Sequence, residues 1–459
     1  MTGAERGDGT GTTTGPGSRP RVVVVGSGFA GSHAVKALAR SVRGEADVVL
    51  ISPTNYFLYL PLLPEVASGV LEPRRISVSL ADTLPRSVVH AQGEVDELDL
   101  PGRRVQWMDP EGRHHTITYD RLVLAVGSVH KLMPIPGLDT HAHGFRGIPE
   151  ALYMRDHMIR QIDLAAGADD PEERRARCTF VVVGAGYTGT EVAAQGQLFT
   201  RELARDRGLG QDAVRWLLVS RSKVLNGLDD HLSATADRVL RDRGVEVRTG
   251  DSVDEATADG VRLTSGEHVP TRTLVWCVGV RPDPLIEEIG LELAEGRVVV
   301  DRTLAVPGHP EVFACGDSAA VPDPGNPGRF TAMTAQHAER QGKLAGRNVA
   351  ASLRGGRLRS YRHRDLGFLV DLGSTDAAAN PLHLRLSGLP AKTITRGYHL
   401  LSMPGNRIRT AADWLLDAVL GRQSTQLGLV RSTSVPLDTS SPEVPHHPSM
   451  PFPPERGGR

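Results

Sequence analysis

Four-residue apolar runs interrupted by glycine turns set the pattern of this chain. Val22–Val25 is continuously apolar, as a strand covered on both faces would be. Gly26-Ser-Gly28-Phe29-Ala30-Gly31 follows at once, then a helical stretch Ser32–Arg40 and a second apolar run Val48–Ile51. This is the pattern of a βαβ unit. It recurs as Phe180–Val183, Gly184-Ala-Gly186-Tyr-Thr-Gly189, a helix Thr190–Ala204 and a strand Leu217–Val219. A helix His231–Arg243 and a short strand Val245–Arg248 come next. Each unit is followed by a strand that closes on Val-Gly: Leu122–Val126 with Gly127, and Leu274–Val278 with Gly279. Another strand, Glu311–Cys315, runs into Gly316-Asp317.

The pattern predicts an α/β fold with two Rossmann-like dinucleotide-binding domains, the first interrupted by the second, and a C-terminal region with an amphipathic helix. The expected divisions are 20–150 and 301–350 for the first domain, 151–300 for the second and 351–431 for the C-terminal region. Loose tails are expected at 1–19, rich in Gly and Thr, and at 432–459, which holds seven prolines.

Composition narrows the chemistry. Over 459 residues, Lys+Arg 53 against Asp+Glu 54 leaves a net charge of -1, so no general field favours nucleic acid. Cys178, Cys277 and Cys315 are the only cysteines and form no CxxC, which excludes a disulfide scaffold and a CxxC zinc module. The histidines show no HExxH spacing, so no metal is expected. There is no apolar h-region and no run of about 18 apolar residues, so the expectation is a cytoplasmic protein, at most peripheral on the cytoplasmic face of a membrane.

In a strand–turn–helix context, the first glycine of each turn permits the tight bend. The second lets backbone approach a pyrophosphate, and the third lets helix and strand touch. The helix N-terminus adds free N–H groups and a partial positive charge. Two such sites in one chain imply two nucleotides exchanging something, and hydride transfer between a nicotinamide and a flavin is the simplest such exchange.

Four segments carry a family resemblance: VVVVGSGFAG, NYFLYLPLLPEVASGVLEPR, FVVVGAGYTGTEVA, and VFACGDSAAVP followed by TAQHAERQG. From about Arg21 to about Val430 the chain resembles the type II, non-proton-pumping NADH:quinone oxidoreductases among the two-dinucleotide flavoproteins. The resemblance implies FAD on the first turn, at Gly26, Gly28, Phe29, Ala30 and Gly31. It implies Asp317 on the ribitol, Val95 at the adenine, and Ala125 and Gly127 where the chain leaves the domain. Ser52 stands where an acidic residue usually grips the ribose. The nicotinamide site falls to Gly184, Gly186, Gly189 and Gly279, with Glu191 oriented to the carboxamide or relaying a proton.

Ala335-Gln336 is implied at the acceptor. Arg340 replaces the family's second glutamine and is expected either to point into the acceptor pocket or to snorkel away from it. Ser220 ends the strand where NADH sites carry an acid, and Arg221 beside it can pair with a 2′-phosphate, so NADPH is expected to serve as well as NADH. A quinone is the expected acceptor. A soluble flavin reductase, a sulfide:quinone-type enzyme and a redox sensor stay open.

Residues 385–431 carry seven basic side chains against Asp413 and Asp417. Within Ile408–Val419, Ile408, Ala411, Ala412, Leu415 and Val419 share one helical face with Trp414 beside it. A membrane surface or a second subunit in a homodimer would suit such a face.

Overall fold

Val22–Val25 is buried on both faces because it becomes the centre of a parallel sheet. The structure, a computed structural model, describes residues 19–363 and 367–437. The first sheet runs, in spatial order, Ala305–Val306, His309–Ala314, Arg121–Leu124, Arg21–Val25, Asp47–Ser52, Val88–Gln92. All pairs are parallel except the edge pair with Ala305–Val306. Strand order reverses between Arg21–Val25 and Arg121–Leu124, and a crevice at that switch point is where such sheets bind ligands.

The helix Phe29–Val42 leaves the first glycine turn, two residues longer at its C-terminal end than the sequence suggests and starting three earlier. The helix Ala335–Leu353 packs against it almost backbone to backbone. A Cβ on Gly342 would lie 2.0 Å from the Ala30 carbonyl oxygen, and one on Gly346 would lie 2.2 Å from that of Ala34. These two glycines therefore bring Ala335 and Gln336 beside Phe29.

The second sheet is wholly parallel, in the order Ala142–His143, Thr273–Trp276, Thr179–Val183, Arg215–Ser220, Val245–Thr249. The chain crosses between the units on two strands, Ser128–His130 and Val280–Pro282, which pair antiparallel directly after Gly127 and Gly279. The crossings thus fall at these glycines, earlier than the expected boundaries at 150 and 300. Downstream, Arg297–Val299 pairs with Ala319–Ala320, next to the Gly316-Asp317 turn.

The C-terminal region holds more structure than its sequence announces. Leu369–Asp371, Ala377–Ala379 and Leu386–Ser387 form an antiparallel sheet, and two helices follow, Gly388–Ser402 and Arg407–Val419. Ala377 to Ala379 are all buried, and their small side chains let Ala391 seat the first helix on the sheet. Past residue 431, Ser432–Ser434 forms a helical turn, and Val435 and Leu437 are buried, so the expected loose tail starts no earlier than 438. Residues 1–18 and 438–459 of the two expected tails lie outside the described residues.

Candidate active site

The two glycine turns have the same geometry. Gly26 and Gly184 hold φ of +97° and +102°, and a Cβ on either would lie 2.3 Å from a carbonyl oxygen, of Ala125 and Cys277 respectively. A Cβ on Gly31 would lie 1.7 Å from the Gly26 oxygen, and one on Gly189 would lie 1.8 Å from the Gly184 oxygen. These four positions are closed by the fold itself. Gly28 and Gly186 differ, because a Cβ at either meets nothing within 4 Å. No side chain of the protein needs that space, which is what a bound pyrophosphate requires. Neither helix has an acidic residue in its first turn to oppose an anion.

Gly127 and Gly279, at φ of +85° and +108°, also face open space. Ala125 is buried behind the first turn, and Val95 sits half-buried on the strand Glu94–Asp99. Asp317 accepts a hydrogen bond from Ser128 Oγ at 2.7 Å, and burial pushes its carboxyl above the usual carboxylate range. Its turn is held by Gln341, whose Oε1 accepts from the Gly316 amide at 2.8 Å and whose Nε2 donates to Thr331 at 2.9 Å. Gln341 was adjacent to the expected glutamine position in the sequence, but its supporting role needs the fold.

Ser52 departs from expectation. It is buried, its hydroxyl donates to the Thr54 carbonyl at 2.8 Å, and it lies 3.1 Å from His90 Nε2. The hydroxyl is engaged inside the fold and is not presented to a ribose. Ser220 is also buried, while Arg221 is exposed at the end of its strand. Lys223 forms an ion pair with Asp230.

A narrow cleft lies beside the first turn. Phe29, His33 and Lys36 line it from one helix, Ala335, Gln336 and Glu339 from a second, and Tyr398 and Ser402 from a third. Phe57, Tyr59 and Pro61 close the remaining side. Phe29 packs edge-on against Phe57 at 5.0 Å between centroids. Gln336 reaches the cleft and donates to the Gly367 carbonyl at 3.0 Å. Arg340 does not line it. Its guanidinium lies 2.8 Å from His363 Nδ1 and 3.5 Å from Gln336 Oε1, because the next turn of the helix faces the segment around Tyr361. The alternative in which Arg340 turns away is the one the fold adopts.

The fold also assembles a group of charges that the sequence did not bring together. Glu191, half-buried on the second glycine helix Tyr187–Asp206, accepts from the Asp371 amide at 2.9 Å. Burial holds its carboxyl well above the usual range, and the charges of Asp371 and Glu65 add to this. Glu65, from the PLLPEVASG segment, is buried and pushed up to about 7, mainly by desolvation. Trp414 Nε1 donates to Glu65, so this tryptophan points inward and is not the interfacial residue expected of it. Asp371 and Lys392 form a buried ion pair, with Nζ–O distances of 2.5 and 2.7 Å. The only sequence signal for Glu65 was the segment it lies in. Asp371 and Lys392 carried none.

All three cysteines are free. Burial pushes the Cys178 thiol up to about 11 and those of Cys277 and Cys315 up to about 12, so none is a ready thiolate. Among the described residues no cluster could hold a metal ion, and no helix is long and apolar enough to cross a membrane.

Paired parallel sheets, each opening on a glycine cradle at the start of a helix, define a dinucleotide-binding oxidoreductase. The sequence profile of the pyridine nucleotide-disulphide oxidoreductase family matches residues 20–342. The chain is 33% identical over 418 residues to the type II NADH:quinone oxidoreductase NdhA of Mycobacterium tuberculosis, covering 86% of each protein. It is 28% identical to the demethylphylloquinone reductase NdbB of Synechocystis, covering 87% of this chain and 96% of that one. The chain belongs to the pyridine nucleotide-disulphide oxidoreductase family, and within it to the type II NADH:quinone oxidoreductases. Its fold matches that of NDH2 from Plasmodium falciparum, solved with NADH, at a TM-score of 0.81 and 18% identity, over 89% of this chain and all of that one.

Proposed function

We propose that this enzyme oxidises NADH or NADPH and reduces a quinone, using FAD held on the first glycine turn. The cleft beside Phe29 carries this reading. It brings the first glycine helix, the Ala335-Gln336 pair and an aromatic wall to one place, and its rim includes Tyr398 on a helix that exposes leucines. Bound at the first turn, FAD would accept hydride and return two electrons. The chain's own part is to bind, orient and exclude water.

Gly28 leaves room for the FAD pyrophosphate, and Gly186 for that of the nicotinamide dinucleotide. Asp317 and the Gly127 backbone would hold the flavin's sugar chain and ring. Glu191, on the second glycine helix, would hydrogen-bond the carboxamide, and its burial, which favours the protonated carboxyl, supports that role. Gln336 offers an amide to a quinone carbonyl. With no acid at Ser220 and Arg221 exposed beside it, a 2′-phosphate meets a cation instead of a carboxylate, which supports use of NADPH.

The acceptor's solubility in lipid fits the surface around the cleft. Leu389, Leu401, Ile408, Leu415, Leu416 and Val419 are all more than half exposed, on two consecutive helices of a basic region. Such a patch suits the interfacial layer of an anionic membrane. A sulfide-type reaction finds no support, since the three thiols are held protonated.

The test is a visible spectrum of the purified protein, then oxidation of NADH and NADPH with and without a short-chain quinone. Flavin bands and quinone-dependent turnover are expected. A colourless protein, or turnover indifferent to quinone, would overturn the reading.

A further inference from the structure

The helix Gly388–Ser402 is built inside out. Leu389 and Leu401 are 62% and 76% exposed, whereas Lys392, Thr395 and His399 are buried. At 3.6 residues per turn, positions 392, 395, 399 and 402 form one stripe about 15 Å long.

Both ends of the stripe meet proton-holding groups. At one end Lys392 is paired with Asp371, whose amide is bonded to Glu191. Glu65 faces the same charges, bonded to Trp414, on which Arg396 stacks at 4.8 Å. At the other end His399 Nδ1 lies 3.1 Å from the Tyr59 hydroxyl, and Tyr59 and Ser402 line the acceptor cleft. Between them, wholly buried Thr395 has no hydrogen-bond partner for its Oγ1.

An orphan buried hydroxyl is costly to maintain. So is a surplus of carboxylates over cations in a buried group. Lys392 and, beside Glu65, the Arg396 guanidinium are two cations against the three carboxyls Glu65, Glu191 and Asp371, so burial favours keeping a proton on a carboxyl over burying the extra charge. A merely structural Asp371–Lys392 tie accounts neither for the added carboxyls nor for Thr395 lying on the line toward His399.

We propose that the inner face of this helix conducts a proton from the buried carboxyls to the acceptor cleft. This rests on the quinone reading above. Two-electron reduction of a quinone to a hydroquinone forms two O–H bonds. Hydride from the dinucleotide supplies both electrons and one proton, and the second proton comes from water. A carboxyl of the cluster gives up that proton, which passes by Thr395 and His399 to Tyr59 and on to the quinone oxygen. Solvent then reprotonates the cluster at Glu191, its least buried carboxyl. His399 suits the relay because burial keeps it neutral, with the charges of Asp371 and Lys392 acting on it in opposite directions. One ring nitrogen can take a proton as the other gives one up.

The experiment uses the full chain carrying Thr395→Val, an isosteric change, and separately His399→Phe. Enzyme reduced by NADH is mixed with a short-chain quinone, or with ferricyanide, which takes electrons without protons. Infrared spectroscopy follows the carbonyl stretch of protonated carboxylic acids at neutral pH and its exchange rate in D2O. Oxidation by quinone should slow about tenfold or more in Thr395→Val, with ferricyanide changed less than twofold. The carboxylic band should be present in the parent and exchange more slowly in the variants. Absence of the band in the parent, parental exchange rates in both variants, or quinone and ferricyanide rates falling together in Thr395→Val would overturn the proposal. A parent that reduces ferricyanide but no quinone would instead defeat the quinone reading, and the exchange rates would still decide whether the stripe conducts. If His399→Phe does not fold, Thr395→Val alone gives the answer.

Discussion

The strands of the dinucleotide-binding units and the helix Gly388–Ser402 turn different kinds of residue inward. In the units, strands such as Val22–Val25 and Phe180–Val183 put valines inside, and glycines mark where backbone must touch backbone or ligand. On the helix Gly388–Ser402, Lys392, Thr395 and His399 turn inward, toward Asp371, while Leu389 and Leu401 point out. The first arrangement yields a rigid frame that holds nucleotides at fixed places. The second costs desolvation and leaves apolar surface in water, so it makes sense only if both faces have work to do. The contrast also shows that a single pattern rule cannot serve the whole chain.

The contrast is sharpest between two glycines of one turn. Gly31→Val should give no soluble folded protein, because its Cβ would overlap the Gly26 carbonyl oxygen at 1.7 Å. Gly28→Val should fold with parental circular dichroism and lack flavin bands, since its side chain enters only the open cradle. A flavin-replete Gly28→Val protein would break the assignment of that cradle.

Next in size is the outward face of the C-terminal helices. Replacing Leu401 and Ile408 together by Asp should lower sedimentation with anionic vesicles by more than tenfold, because each exposed side chain contributes about 1.5 kcal/mol or more when buried in lipid. Turnover with a water-soluble quinone should hold within twofold. Unchanged vesicle binding would show that this face covers something other than a membrane, such as a second copy of the chain.

The inward face has its own signature in pH. Glu65 is raised to about 7 by burial, so the folded state binds a proton more tightly than the unfolded chain does. Its contribution is therefore undiminished below about pH 4.5 and is lost as pH rises through about 7, on the order of 3 kcal/mol. Glu65→Gln should remove that loss and melt several degrees above the parent at pH 8, with little difference at pH 4. Equal melting differences at both pH values would mean that Glu65 is ionised throughout.

Two smaller effects test the nucleotide side and the cleft. Ser220→Glu should shift kcat/KM toward NADH over NADPH by about tenfold, or 1.4 kcal/mol. A parent that already prefers NADH by about a hundredfold would show that Arg221 does not meet the 2′-phosphate. Arg340→Ala should change the KM for a short-chain quinone less than twofold, since the guanidinium is turned to His363. A large rise would place Arg340 in the cleft after all.

The two sheets were legible because parallel strands covered on both faces are written as unbroken apolar runs, and the glycine turns sit at their ends. The helix Gly388–Ser402 was not, because a helix with polar residues inward and leucines outward looks like neither a core helix nor a loop. The neighbouring face Ile408, Leu415 and Val419 was read correctly as one surface, but Trp414 was assigned outward because amphipathic tryptophans often lie at interfaces. Its inward turn depends on Glu65, 349 positions away in sequence.

The sequence alone therefore determined the two dinucleotide folds, the glycine turns that carry Gly28 and Gly186, and the membership in an oxidoreductase family. All of these follow from local backbone demands that only glycine and β-branched residues meet. Tertiary structure decided which way Arg340 and Ser52 turn, where the cleft lies, and that Glu65, Glu191, Asp371 and Lys392 share one buried group. Those are encounters between distant segments in a medium of low dielectric, where the position of one charge sets the protonation of another, and no spacing along the chain encodes them.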